Sequence, residues 1–441
     1  MTKKLALEGG VPAVSGEMGR SAVFTWPVFG KEEERAVLEL LRKRDFADEV
    51  EVPSFENEFA EWCGTRYAIS QNCGTSALLT SMYAVGVGAG DEVIVPSATY
   101  WATALPAFSL GATVVFGDID RRTLGLCPHD VERKISHRTK AIVVVHIFGH
   151  PVDMDGILRV ARANNVRVIE DASHAHGTQY RGKKAGTLAD IAAFSLCGKP
   201  IHVGEGGMIA TSDDALRERC LAWAHNFRFN HLEVKNPDLL RYAGLPLGGV
   251  TTRMHNLSAA IGREQLKTFD RRMQEVNEAM NLFWDLLSDY PGLEAHRPDQ
   301  SKGSTMGAWY TPHAIYHADQ LNGLSAAGFA RAVRAEGFPT RTRSCLTEPL
   351  HRHPLLQVAD VYGHGMPTRI AHAERDVREL DAFLPNTDAV RTLTVPAFKL
   401  CDKETIQSYV DLFKKVIDNH PSLLANDPGD GSAIPDVRGD A

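Results

Sequence analysis

A lysine, Lys199, stands in 194-FSLCGKPIHVGEGG-207, between the end of an apolar run and a glycine-rich turn. Most lysines are solvated surface residues. In a desolvated place the amine loses basicity and can attack a carbonyl. Three other stretches carry groups that such chemistry would use. In 72-NCGTSALL-79 an apolar run gives way to a helical pattern. The N–H groups of Gly74, Thr75 and Ser76, with the Thr and Ser hydroxyls, would form a phosphate cradle there. By itself the stretch reads as an ordinary cap by Asn72 or Thr75. In 96-PSATYWAT-103 two aromatics are adjacent, Tyr100 and Trp101. Either can stack on a flat ring or pack in a core. In 168-VIEDASHAHG-177 a very apolar run ends on Glu170-Asp171, followed by His174 and His176. A carboxylate at the end of a buried strand needs a cation or a hydrogen-bond donor.

An amine, an anion cradle, an aromatic plate and a buried carboxylate are the four things a phosphorylated, aldehyde-bearing pyridine needs. Pyridoxal 5′-phosphate is the cofactor that uses all four. Asp171 would face the protonated ring nitrogen, and Lys199 would carry the aldehyde carbon.

These residues need elements to hold them. Strand-like runs fall at 67–70, 93–97, 113–118, 141–148, 166–171, 190–196 and 207–211, with helical patterns at 75–85 and 153–164 between some of them. Helical spacing also marks 31–44 and 54–62. Continuous apolar strands alternating with helices predict an α/β fold with a mainly parallel sheet covered on both faces. Ligands of such sheets bind beyond the carboxyl ends of the strands, where the four stretches fall. A long helical pattern over 253–290 leads to a second region with a short strand at 309–316 and helices at 325–337 and 403–417. We expect an N-terminal arm (1–30), a large domain (31–265), a small domain (266–419) and a disordered Pro-, Gly- and Asp-rich tail (420–441).

The chain has 441 residues, 44% hydrophobic and 23% charged, with a net charge of −7. That is an ordinary globular composition. No basic run suits nucleic acid and no apolar run suits a membrane. The cysteines at 63, 73, 127, 197, 220, 345 and 401 are scattered, with no metal-ligand spacing, and read as reduced thiols of a cytoplasmic protein.

The stretches 5-LALEGGVPAV-14, 90-GDEVIVPSATYWAT-103, 145-VHIFGHPVDMDGI-157, 170-EDASHAHG-177, 199-KPIHVGEGG-207, 253-RMHNLSAAIGREQL-266 and 350-LHRHPLL-356 resemble the DegT/DnrJ/EryC1/StrS family of sugar and cyclitol aminotransferases. The resemblance runs over nearly the whole chain before the tail. It implies the aspartate-aminotransferase type I fold, a seven-stranded sheet plus a smaller α/β C-terminal domain. It implies homodimers with sites at the interface, and transfer of an amino group from L-glutamate or L-glutamine to a keto-cyclitol or keto-sugar. Lys199 matches the lysine that carries the cofactor, and Asp171 the partner of the ring nitrogen. His174 takes a place near the cofactor's phenolic oxygen. Gly74 and Thr75 match the phosphate turn, Ser195 a further phosphate contact, and Tyr100 the stacking ring, which leaves Trp101 to pack.

Three departures stand out. Ser195 and Lys199 are four apart where the family has five. Cys73 precedes Gly74 where Asn or Ser is usual. Thr251 occupies the place of an Asn that reaches the partner's phosphate. His351, Arg352 and Arg341 or Arg343 are candidates for substrate contact or for plain solvation. Two rival functions remain. One is non-transaminating chemistry, disfavoured because the family's dehydratases have His in place of the lysine. The other is a non-catalytic, cofactor-binding regulator, disfavoured because no DNA-reading helix or basic patch is present.

Overall fold

The runs 92-EVIVP-96 and 113-TVVFG-117 lack polar alternation, and every residue of both is buried. Such strands need cover on both faces. In the computed structural model, which describes residues 4–14, 22–43, 50–343 and 349–430, they lie inside a seven-stranded sheet. Its strands are β1 (Tyr67–Gln71), β2 (Glu92–Pro96), β3 (Thr113–Gly117), β4 (Thr139–Val145), β5 (Arg167–Asp171), β6 (Ile191–Ser195) and β7 (Gly207–Thr211). Their spatial order is β1-β7-β6-β5-β4-β2-β3. All pairings are parallel except those of β7, which runs antiparallel to β1 and β6. The seven strands fall where the apolar runs predict them.

Successive side chains serve opposite faces. After two helices, α1 (Lys31–Lys43) and α2 (Glu51–Cys63), Val93 and Val95 join a core with Leu78 and Met82 of α3 (Gly74–Ala84), whereas Ile94 joins another with Ile157 and Val160 of α4 (Met154–Ala163). The helix starts follow capping chemistry. Asp153 Oδ1 accepts the Gly156 N–H at 3.1 Å to open α4. A 32-residue helix, α5 (Asn256–Leu287), then leads to a four-stranded antiparallel sheet: β8 (Leu293–Ala295), β9 (His313–Tyr316), β10 (Thr342–Arg343) and β11 (Thr392–Thr394). Helices α6 (Ala326–Ala335) and α7 (Lys403–Asp418) pack on it.

Four expectations change. The expected strand 309–316 is a strand only from His313. Trp309 (φ 49°) and Thr311 (φ 46°) are left-handed, and Pro312 has no N–H to give a ladder. The helix expected from Ser54 begins at Glu51. The N-terminal arm is built into the small-domain core through Leu5, Val14 and Val23. Buried Glu336 ties it down, accepting the Ala6 N–H at 2.7 Å, the Ala13 N–H at 2.9 Å and the Lys415 ammonium at 2.8 Å. The first residues of the expected tail also fold: His420–Leu423 is helical, and Asp427 accepts the Ser325 N–H at 2.8 Å. Residues 431–441 lie outside the described residues.

Glu170, fully buried, shows what the sheet demands beneath the site. Its oxygens accept N–H groups from Gly186 (2.8 Å), Leu188 (2.8 Å) and Ala189 (3.0 Å), and the His146 ring donates at 3.0 Å. Glu170→Gln turns an NH2 group toward these donors. It should cost about 3 kcal/mol, seen as a lower urea midpoint with unchanged m-value.

Candidate active site

The register of the sheet brings the chemistry together. Asp171 lies opposite Ala193, and Ser195 and Gln71 both lie opposite Gly207. The carboxyl end of β5, the loop after β6 and the start of α3 therefore share one end of the sheet. A Cβ on Gly74 would stand 2.6 Å from Ser195 Cβ, so only glycine allows this approach. The N–H groups of Gly74 and Thr75 find no acceptor among the described residues, as expected of the first turn of a helix. Cys73 accepts the Ser76 N–H through Sγ at 3.4 Å, so the unusual cysteine serves as the N-cap.

Asp171 is 4% exposed and makes no ion pair among the described residues. The Thr103 hydroxyl donates to Oδ2 at 2.8 Å and the Ser173 N–H to Oδ1 at 3.2 Å. Thr103 is in turn 3.0 Å from the Thr99 hydroxyl. These contacts fix the carboxylate's orientation and supply no cation to it among the described residues.

The Phe148 N–H donates to His174 Nδ1 at 3.3 Å, so Nε2 holds the proton of the neutral ring. Burial, then the charge of Lys199 and the nearby His176 and His313, hold His174 well below the ordinary histidine range. His176 packs edge-on against Phe194 and Phe269, and burial followed by Lys199 lowers it to about 3, with the Ser195 backbone opposing the shift. Both rings are therefore neutral at pH 7.

The short step from Ser195 to Lys199 is made by a left-handed residue, Gly198 (φ 60°), whose N–H donates to His202 Nδ1 at 2.7 Å. The next residue, Pro200, accepts the Trp26 indole N–H at 2.9 Å. Lys199 Nζ ends 4.0 Å from the centroid of Tyr310.

Other predicted residues are exposed or make different contacts. Tyr100 (48% exposed) and Trp101 (40% exposed) stand at the surface with ring centroids 5.1 Å apart, so Trp101 does not pack in the core as expected. Thr251 is exposed. Its neighbour Thr252 instead meets the cradle strand, donating to Gln71 Oε1 and accepting the Asn72 N–H at 2.6 Å. His351 bonds the Ser97 hydroxyl at 2.7 Å and docks the small domain on the end of β2, and Arg352 pairs with Asp388. The sequence singles out Cys197-Gly198 as the place where the step shortens, and Gly198 is the residue that does it; it gives no notice of Thr103 or Tyr310. A threonine close after the PSAT run could have signalled the first; nothing local signals Tyr310.

The model of the DegT/DnrJ/EryC1/StrS aminotransferase family matches residues 27–384. GDP-perosamine synthase of Caulobacter vibrioides is 46% identical over 223 residues, 50% of this chain and 58% of that protein. L-glutamine:2-deoxy-scyllo-inosose aminotransferase of Streptomyces paromomycinus is 32% identical over 389 residues, 84% of this chain and 86% of that protein. Among solved structures, the aminotransferase from Psychrobacter cryohalolentis superposes with a TM-score of 0.74 at 28% identity, covering 91% of this chain and 99% of that one.

Two predictions follow from the loop and the buried histidines. Gly198→Ala meets no atom within 4 Å, so its cost is backbone strain alone, about 1 kcal/mol; in a chain of this length the thermal midpoint should drop by about one degree. His176 has its proton affinity lowered from 6.5 to about 3 by folding, so its contribution is intact above pH 6.5 and is lost as pH falls below it. By pH 5 that loss is about 2 kcal/mol. His176→Phe should remove this share, making urea stability flatter between pH 7 and pH 5 than in the wild type.

Proposed function

The chain belongs to the DegT/DnrJ/EryC1/StrS aminotransferase family, and from that premise we propose that it moves an amino group from L-glutamate or L-glutamine to a polyhydroxylated cyclic ketone, a keto-sugar or keto-cyclitol. The convergence of the Lys199 amine, the buried Asp171 carboxylate and the Gly74–Ser195 cradle at one end of the sheet carries this reading. The names of the relatives point to surface-sugar or secondary-metabolite biosynthesis.

The residues fit pyridoxal 5′-phosphate. Two free N–H groups open α3, a side chain at Gly74 would close the space over Ser195, and Asp171 lacks a cation. Bound there, the group supplies an electron sink for the carbon bearing the migrating nitrogen. Gly74, Thr75 and the Ser195 hydroxyl would hold its phosphate. Asp171, kept in place by Thr103 and Ser173, would hold a proton on the ring nitrogen. Neutral His174 would offer Nε2–H to the phenolic oxygen without adding charge. Tyr100 would cover the ring face. The Lys199 amine would take the proton from the donor's α-carbon.

A second copy of the chain completes the site in this reading. Phe227, Leu232, Tyr242 and Leu245 are 62%, 84%, 51% and 73% exposed in the segment that leads to Thr251. An apolar surface of that kind suits a self-complementary interface, and burying it would carry Thr251 toward the partner's cradle. The described cysteines are free, which suits the cytoplasm.

The test is optical. Purified protein with added cofactor should show a visible band that shifts to shorter wavelength on adding L-glutamate or L-glutamine. Lys199→Ala should lose the band and keep its circular dichroism. Asp171→Asn should slow turnover by about 100-fold or more. A band indifferent to every amino donor overturns the reading.

A further inference from the structure

Tyr310 has no part in the reaction described above, yet it touches the reacting amine. Its ring centroid is 4.0 Å from Lys199 Nζ and 4.3 Å from the His174 ring. Its hydroxyl makes no hydrogen bond among the described residues.

The position is built rather than incidental. Tyr310 sits between two left-handed residues, Trp309 and Thr311, and the second is β-branched, for which this conformation is a clear outlier. Such strain persists only where the surroundings over-determine it, and it clusters at functional sites. Here the surroundings do so from both domains. Asn277 of α5 donates to Gly307 O at 2.9 Å and accepts the Trp309 indole N–H at 2.8 Å. The Thr178 hydroxyl reaches both Gly149 O (2.8 Å) and Met306 O (3.2 Å), tying the loop to the large domain. A side chain on Gly307 would strike the backbone of Thr178 and His176.

We propose that Tyr310 is a catalytic residue of this enzyme: its ring face receives the Lys199 ammonium whenever that amine is free and protonated, favouring the charged form and holding it over the reacting atoms. The proposal rests on the reading of Lys199 as the reacting amine. The groups whose electrostatics or contacts involve the amine are His174 and His176 from the loop after β5, Cys197 from its own loop, and Tyr310, whose ring lies 4.0 Å from it. The two histidines are neutral and bring no charge of their own to the amine. Glu205 is engaged by the Cys197 thiol at 3.2 Å. The aromatic face is then the group placed to stabilise the cation. An aromatic face in a desolvated site attracts an ammonium strongly enough to raise its midpoint by about one on the pH scale.

The experiment uses the full-length, cofactor-free chain. The rate at which pyridoxal 5′-phosphate develops the visible band is followed against pH, because only the neutral amine reacts. Tyr310→Phe keeps the ring and should keep the midpoint. Tyr310→Leu removes it and should lower the midpoint by about one on the pH scale. Tyr310→Trp, the stronger π face, should raise it, and serves alone if the leucine variant does not fold. A midpoint that stays put in the leucine variant while its melting temperature falls, or one unmoved or lowered in the tryptophan variant, overturns the proposal and assigns Tyr310 a packing role. If Lys199→Ala develops the band as fast as wild type, the reading of Lys199 itself has failed, whatever Tyr310 does.

Discussion

The site depends on the register of three adjacent strands. The β5–β6 ladder sets Asp171 opposite Ala193, and the β6–β7 and β1–β7 ladders set Ser195 and Gln71 opposite the same residue, Gly207. Side chains alternate with a period of two, so a slip of one residue exchanges the faces of a whole strand. In β5 that slip would send Glu170 to the ligand end and Asp171 into the interior. The hydrophobic pattern prevents it, because Val168 and Ile169 already belong to opposite cores. The apolar strands thus do more than bury surface. They fix which of two neighbouring carboxylates meets the Thr103 hydroxyl and which meets the His146 ring.

That distinction explains what could and could not be read beforehand. The strands were legible because a parallel sheet covered on both faces needs continuous apolar runs, and few other segments supply them. Glu170-Asp171 was legible as a costly pair at a strand end, but not as two residues with different tasks. Glu170 serves as an interior acceptor for three N–H groups and a histidine, whereas Asp171 has two weak-acid donors and no cation. The sequence shows two acids; only the sheet faces separate them. Lys199 and the Gly74 cradle were legible for a similar reason, since each lies just past a recognisable strand.

The contribution of the second domain was not legible. The motif 309-WYTP-312 looks like the start of a strand, since its aromatics and threonine have high strand propensity. Tertiary contacts override that preference. Asn277, thirty residues earlier in the chain, and Thr178, on the other domain, hold the loop in a conformation its own residues disfavour. No local pattern records a constraint imposed from two distant elements at once. The same limit applies to Thr103, whose hydroxyl has meaning only beside Asp171, and to the N-terminal segment, which looks like a free arm until Glu336 collects its N–H groups.

Burial also sets the electrostatics around the amine. Lys199 stands beside two histidines, and a charged histidine there would oppose any positive charge on the lysine. Desolvation keeps His174 and His176 neutral. It does so at a cost in acid stability, because each ring must stay unprotonated while the unfolded chain takes up a proton. His150, lowered to about 4, and His296 share this condition farther along the domain boundary, where their rings stack at 4.6 Å. A chain selected for acid tolerance alone would replace them with apolar residues. The two at the site instead combine ring packing with polar edges and no charge, so neither opposes a positive charge on Lys199.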